Sequence, residues 1–187
     1  EGFKYFILRN YEELPQKNSS KDVDIIIEPA GYTLASNLIK NILIKNNIAN
    51  FKVVKYERVS CCFGIDIANN FSIHIDLIEG YLSKGFEVFD FEELYNQIEI
   101  YKNFKVLNSS YDAIMLLYYK VIGSKQLKEQ YKRKISAIYK KESKVIDETI
   151  KRTLNKSSSD LIINALEKND FDNIVKNADK MSRSSKN

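Results

Sequence analysis

The chain has 187 residues, 44% of them hydrophobic and 29% charged, with only 6 Gly and 2 Pro, a composition that excludes disorder, collagen-like repeats and a disulfide-held miniprotein. Its size suits one compact domain, or a small catalytic domain with a helical appendage, but not two full enzymatic domains. The formal net charge of +4 is unevenly laid out: residues 1–108 carry 12 Lys/Arg against 15 Asp/Glu, whereas residues 109–187 carry 17 against 10.

Within the second half, Tyr119 to Lys156 holds 12 basic and 4 acidic residues, enough to attract a polyanion, with a solvated helix face as the simpler reading. No run reaches the ~18 consecutive apolar residues that a bilayer crossing needs. The start, Glu1-Gly2-Phe3-Lys4, lacks the basic-then-apolar layout of a signal peptide, so a cytoplasmic protein is expected. Cys61 and Cys62 are sequence neighbours that face opposite sides of a strand. They read as small core residues rather than a disulfide or a metal pair.

In chain order, Phe3 to Leu8 predicts a strand, Tyr11 to Leu14 a brief helical turn, and Pro15 to Lys21 a polar loop. The β-branched run Val23 to Ile27, closed by Glu28-Pro29, predicts a buried central strand. Leu34, Leu38 and Ile42 space an amphipathic helix over Thr33 to Asn46. Phe51 to Tyr56, Val59 to Ile67 and Phe71 to Ile78 follow as three strands, the last two joined as a hairpin at Ala68 to Asn70.

Asp90 with Glu93 three residues on is a capping pattern, and helix is expected almost continuously from there. The helices run over Phe91–Lys102, Tyr111–Ile122, Lys125–Lys141, Lys144–Leu154, Asp160–Lys168 and Phe171–Lys180, with Ser157 to Ser159 as a frayed joint. The expected fold class is α+β: a small mixed sheet flanked by helices over residues 1–108, then a helical bundle over 109–187. Three strands in succession without intervening helices argue against a parallel doubly wound fold.

Asp22 and Asp24 stand at i and i+2 at the mouth of a strand, on one face, about 6.6 Å apart along the backbone. Two like charges there call for a cation, and a hard divalent ion with oxygen ligands is the usual one. Asp76 alternates against Ile73, Ile75 and Leu77 on a second strand. If the two strands are neighbours, three carboxylates converge, the layout that holds one or two Mg²⁺ ions on a nucleotide's phosphates, with the third acid able to accept a proton from an attacking hydroxyl. Asp66 is the second candidate for the third acid. His74, the one histidine, reads as a half-exposed strand residue beside the site, with proton shuttle or ligand as the alternative. One histidine without a Cys partner makes a poor zinc site.

The run Tyr5-Phe6-Ile7-Leu8-Arg9-Asn10-Tyr11-Glu12-Glu13-Leu14-Pro15, then Lys21-Asp22-Val23-Asp24-Ile25-Ile26-Ile27, and later Ile73-His74-Ile75-Asp76-Leu77-Ile78, resembles the nucleotidyltransferase fold of the DNA polymerase β superfamily. It is most similar to the small nucleotidyltransferase-like proteins encoded among bacterial surface-polysaccharide genes. The resemblance covers about the first half and continues loosely into the helices, where Lys120, Lys125, Tyr131, Lys132 and Arg133 resemble that group's basic region. It implies that Asp22, Asp24 and Asp76 are the catalytic, metal-binding acids, that Mg²⁺ is the cofactor, and that a nucleoside triphosphate is the donor. Arg9, Asn10, Lys21, Lys120, Lys125 and Lys132 are then the candidate nucleotide contacts. The superfamily's Gly-Ser, about ten residues before the first Asp, is replaced here by Arg9 and Asn10, and Arg9 could supply phosphate contacts by charge.

The expected function is Mg²⁺-dependent transfer of a nucleotidyl or related phosphoryl group from a nucleotide to a hydroxyl of a small molecule or glycan precursor. A catalytically silent module of the same fold, binding a partner enzyme or a sugar nucleotide, is the alternative. Nucleic-acid binding through Tyr131 and Tyr139 ranks last, because these aromatics recur at helical spacing with Ile135 and Ile138 and are more simply core.

Overall fold

β-Branched and aromatic runs build the strands of this computed structural model, which describes residues 2–9, 11–16, 22–48, 50–56, 59–67, 69, 71–80 and 88–182. The protein is α+β, with a seven-stranded mixed sheet and helices that fill the C-terminal part. The chain divides into two compact units, Glu1–Tyr81 with Asp90–Leu107, and Leu82–Phe89 with Asn108–Asn187. Among the described residues, no helix is long and apolar enough to cross a membrane.

The sheet unit contains β1 (Tyr5–Arg9), β2 (Val23–Ile27), α1 (Tyr32–Lys45), β3 (Asn50–Tyr56), β4 (Val59–Asp66), β5 (Phe71–Glu79), α2 (Phe91–Tyr95), β6 (Ile98–Tyr101) and β7 (Phe104–Leu107). Strand order is β3-β4-β5-β2-β1-β7-β6. β2 therefore lies at the centre, parallel to β5 and antiparallel to β1, as its run of branched residues requires of a strand buried on both faces. On one face, Ile27, Cys62 and Leu77 pack with Tyr32 and Ala35 of α1, and Ile25 and Ile75 join them. Gly31, just before α1, lets the helix start approach the sheet: a Cβ there would lie 2.4 Å from Phe3 Cβ. On the other face, Phe6 and Ile26 are fully buried, and the Phe6 ring lies 6.0 Å from that of Phe91 in α2.

The helix expected over Phe91–Lys102 is instead a single capped turn followed by a hairpin. Asp90 accepts from Glu93 N at 2.6 Å and starts α2, which ends at Tyr95. β6 and β7 then pair antiparallel around Lys102 and Asn103, with φ of 45° and 71°. Two consecutive left-handed residues are the geometry of a tight hairpin turn and end any helix. The sheet is therefore larger than the small one expected, and β7 adds parallel to β1.

The helical unit holds α3 (Ser109–Tyr118), α4 (Glu129–Thr153), α5 (Lys156–Glu167), α6 (Phe171–Lys176) and α7 (Ala178–Ser182), with a π-helical turn over Tyr119–Gly123. Every residue of α3 from Ser110 to Tyr118 is buried, so this is the unit's central helix. Its Asp112 is held by Lys134 of α4 at 2.7 Å, and Tyr118 Oη meets Thr153 Oγ1 at 2.7 Å. α4 is two helical segments meeting at the non-helical Glu142 (φ −128°, ψ 25°), where a break between Lys141 and Lys144 is expected, and its first segment begins only at Glu129 rather than Lys125. Lys125 itself has φ of 50°. Glu142 accepts from Ser109 Oγ at 2.5 Å and from Ser110 Oγ. Ser157 to Ser159 are not a frayed joint but the first turn of α5, capped by Asn155, which accepts from Ser158 N at 2.9 Å.

Candidate functional site

Strand register brings the acids together. β2 and β5 run parallel with Asp24 opposite Asp76, and Asp22 precedes β2 by one residue. One carboxylate oxygen from each of Asp22, Asp24 and Asp76 lies within 4.8 Å of the others. The three acids are unequally buried. Asp24 is 3% exposed, whereas Asp22 and Asp76 are half-buried. Burial therefore raises the Asp24 carboxyl above its ordinary value, Arg9 pulls it back, and the charges of Asp22 and Asp76 push it further up.

Arg9 reaches Asp24 because of a bulge. β1 pairs regularly as Phe6–Ile26 and Ile7–Ile25, then skips Leu8 so that Arg9 lies opposite Asp24. Without that extra residue, Leu8 would face the acid and Arg9 would point to the other side of the sheet. The guanidinium Nε contacts Asp24 Oδ2 at 2.7 Å. Arg9, expected as a phosphate contact, is in this structure the ion-pair partner of Asp24 in the carboxylate cluster.

The other expected residues are distributed as follows. Asn10 and Lys21 lie outside the described residues. Lys120, Lys125 and Lys132 belong to the helical unit, where each has local partners. Lys120 Nζ sits 4.9 Å from the Tyr119 ring centre and 5.4 Å from that of Tyr131. Lys125 pairs with Asp179 at 2.6 Å, and Lys132 with Glu129 and Asp172 at 2.9 Å. Asp66 is a turn residue, accepting from Asn69 N at 3.2 Å and Asn69 Nδ2 at 2.7 Å, and takes no part in the carboxylate cluster. Tyr139 is buried, in line with a core role.

Cys61 gains a place that the sequence reading did not give it, and His74 stands half-buried beside the acids. β4 pairs antiparallel with β5 so that Cys61 lies opposite Asp76 and Phe63 opposite His74. Cys62 turns into the core beside Leu77, but Cys61 does not. Its thiol joins His74 and Asp76, with one ligand atom of each within 4.8 Å of the others. Burial, then hydrogen bonding to Asp76, pushes the Cys61 thiol up to about 12. His74 Nε2 lies 2.9 Å from Asp76 Oδ1, and its ring stacks on Phe63 at 4.1 Å between centroids. The signal was latent in the hairpin. With Asp66 paired to Phe71, counting back five residues along β4 and forward five along β5 puts Cys61 across from Asp76.

Chemically, the carboxylate cluster offers three oxygen donors at a separation that a hard divalent cation can bridge, and its surplus negative charge favours one. Three carboxylates therefore fit Mg²⁺, with Arg9 covering part of the charge of Asp24. No protein-family model matches this chain, and no curated protein matches it either.

Proposed function

We propose that the protein is a Mg²⁺-dependent transferase of the nucleotidyltransferase kind, acting in the cytoplasm. It moves a nucleotidyl or related phosphoryl group from a nucleoside triphosphate to a hydroxyl of a small molecule or glycan precursor. The single observation that carries this reading is the convergence of Asp22, Asp24 and Asp76 within 4.8 Å on adjacent parallel strands. Asp22, Asp24 and Asp76 would hold the cation, which when bound supplies charge to the phosphates and lowers the barrier to in-line displacement.

The chain's own side chains divide the remaining work. Arg9 fixes the orientation of Asp24 through the 2.7 Å contact. His74, with its proton on Nε2, donates to Asp76 Oδ1 and leaves Oδ2 to accept the proton of the acceptor hydroxyl. The central position of β2 in the seven-stranded sheet holds these groups rigidly.

Calorimetry with Mg²⁺ and each nucleoside triphosphate tests the reading, on the native chain and on the Asp22→Ala, Asp24→Ala variant. Metal-dependent nucleotide binding that the variant loses is expected. Absence of such binding to the native chain overturns the proposal. A second reading, a silent module of the same kind, is favoured by Arg9, whose charge already sits on Asp24 in the region where phosphate-gripping residues are expected. It predicts nucleotide binding without turnover, and binding indifferent to Asp76→Ala.

A further inference from the structure

The face of the sheet that carries the acids holds a second donor set of different chemistry. Cys61 on β4 and Asp76 on β5 are direct cross-strand partners, and His74 stands two residues before Asp76 on the same face. Sulfur, imidazole nitrogen and carboxylate oxygen lie within 4.8 Å of one another. All three residues are half-buried, with side-chain exposures of 27% for His74 and 18% for Asp76. The donors are thus screened by protein yet open to an entering ion.

The imidazole is held in place from two sides, by the Asp76 carboxylate at 2.9 Å and by the Phe63 ring stacked 4.1 Å away. All of these residues sit on strands of the sheet rather than on loops. Such a set does not suit Mg²⁺, which takes oxygen donors. Mixed S, N and O ligands select borderline-soft ions, and three protein ligands with an open fourth position describe a zinc site that can also take water or a ligand. Tetrahedral Zn²⁺ with ordinary bond lengths places its donors roughly 3.5 Å apart, and donors that already lie within 4.8 Å of one another reach that spacing by side-chain adjustments of about 1 Å.

We propose that Cys61, His74 and Asp76 form a binding site for Zn²⁺ or a chemically similar divalent ion, distinct from the carboxylate triad but sharing Asp76 with it. The shared carboxylate makes the two sites antagonistic. An ion held by Cys61 and His74 draws Asp76 toward the sulfur and nitrogen donors and away from Asp22 and Asp24. The site stands on its own donor set and does not depend on nucleotidyl transfer. Its consequence is that Zn²⁺ opposes whatever hard cation the triad holds.

Co²⁺, the spectroscopic substitute for Zn²⁺, tests this on the full chain. A single Co²⁺ is expected to bind with a thiolate-to-metal charge-transfer band in the near ultraviolet. Cys61→Ser abolishes the band, His74→Gln weakens binding by about tenfold or more, and Cys62→Ala leaves the band in place. Asp22→Asn also keeps it, which separates failure of this site from failure of the triad. A native chain without the band, or a band that survives Cys61→Ser, overturns the proposal. Should the Cys61→Ser chain not fold, alkylation of native Cys61 by iodoacetamide, followed by mass spectrometry, gives the same answer. Protection by Zn²⁺ and not by Mg²⁺ supports the site, and equal labelling with and without Zn²⁺ refutes it.

Discussion

Replacing Asp22 by Asn should raise the stability of the cation-free protein while removing most of the stabilisation expected on adding Mg²⁺, and replacing Asp24 by Asn should instead lower cation-free stability. Two unit charges no more than 4.8 Å apart repel by at least about 1 kcal/mol in bulk water and at least about 3.5 kcal/mol at an effective dielectric of about 20. Arg9 at 2.7 Å offsets Asp24, so the net repulsion relieved by Asp22→Asn is chiefly that against Asp76. Both residues are half-buried, which places the gain at the low end, about 1 kcal/mol. Asp24→Asn relieves repulsion too, but it removes the negative charge paired with Arg9, whose side chain is 12% exposed, and breaking a buried ion pair costs about 3 kcal/mol.

A cation at a hundred times its dissociation constant stabilises the native chain by about 2.7 kcal/mol, and hundredfold weaker binding leaves about 0.4 kcal/mol at the same concentration. Urea unfolding at neutral pH, with chelator or with Mg²⁺, measures these changes, and amide exchange in β2 and β5 reports the sheet unit directly. The reasoning fails if Asp22→Asn destabilises the cation-free chain as much as Asp24→Asn, or if Mg²⁺ protects the Asp22→Asn chain as strongly as the native one.

In the helical unit, hydroxyl donation from Ser109 and Ser110 holds the Glu142 carboxyl below its ordinary value of 4.5. Its stabilising effect is therefore present above pH 4.5 and is lost as pH falls through the lowered folded value. Acid titration of helical circular dichroism should show a shallower loss for Glu142→Gln than for the native chain. Ile114 is 0% exposed at the centre of α3, so Ile114→Ala should cost roughly 2–5 kcal/mol and lower the thermal midpoint. Asn103→Val forces a β-branched residue to φ of 71° and should destabilise the sheet unit by roughly 1–2 kcal/mol, seen as faster amide exchange in β6 and β7. An unchanged exchange rate would argue against the tight turn.

The β2 strand and the three strands β3 to β5 were legible because β-branched density and period-2 alternation are local properties. The hairpin of β6 and β7 was not. Phe91, Leu94, Tyr95, Ile98 and Tyr101 also fit helical spacing, and the capping pattern at Asp90 does start a helix. That helix stops at Tyr95 with Asn96 as its C-cap, and the chain then extends into a hairpin whose turn is the left-handed pair Lys102 and Asn103, neither of them the Gly that marks such turns most clearly. The break at Glu142, by contrast, falls where the sequence expects two helices to meet, while its seryl partners, 33 and 32 positions earlier in sequence, could be found only by folding.

By itself the sequence determined that Asp22 and Asp24 share one face of a strand, that Asp76 lies on one face of another, and that Cys61 and Cys62 point to opposite sides. Side-chain alternation along a strand depends on nothing beyond that strand. Tertiary structure decided which faces coincide. Parallel pairing of β2 with β5 put Asp76 beside Asp24, a one-residue bulge in β1 carried Arg9 to the acids in place of Leu8, and antiparallel pairing of β4 with β5 brought Cys61 to His74 and Asp76. Register is fixed by how the whole sheet buries its apolar faces, and a slip of one residue moves every side chain across it.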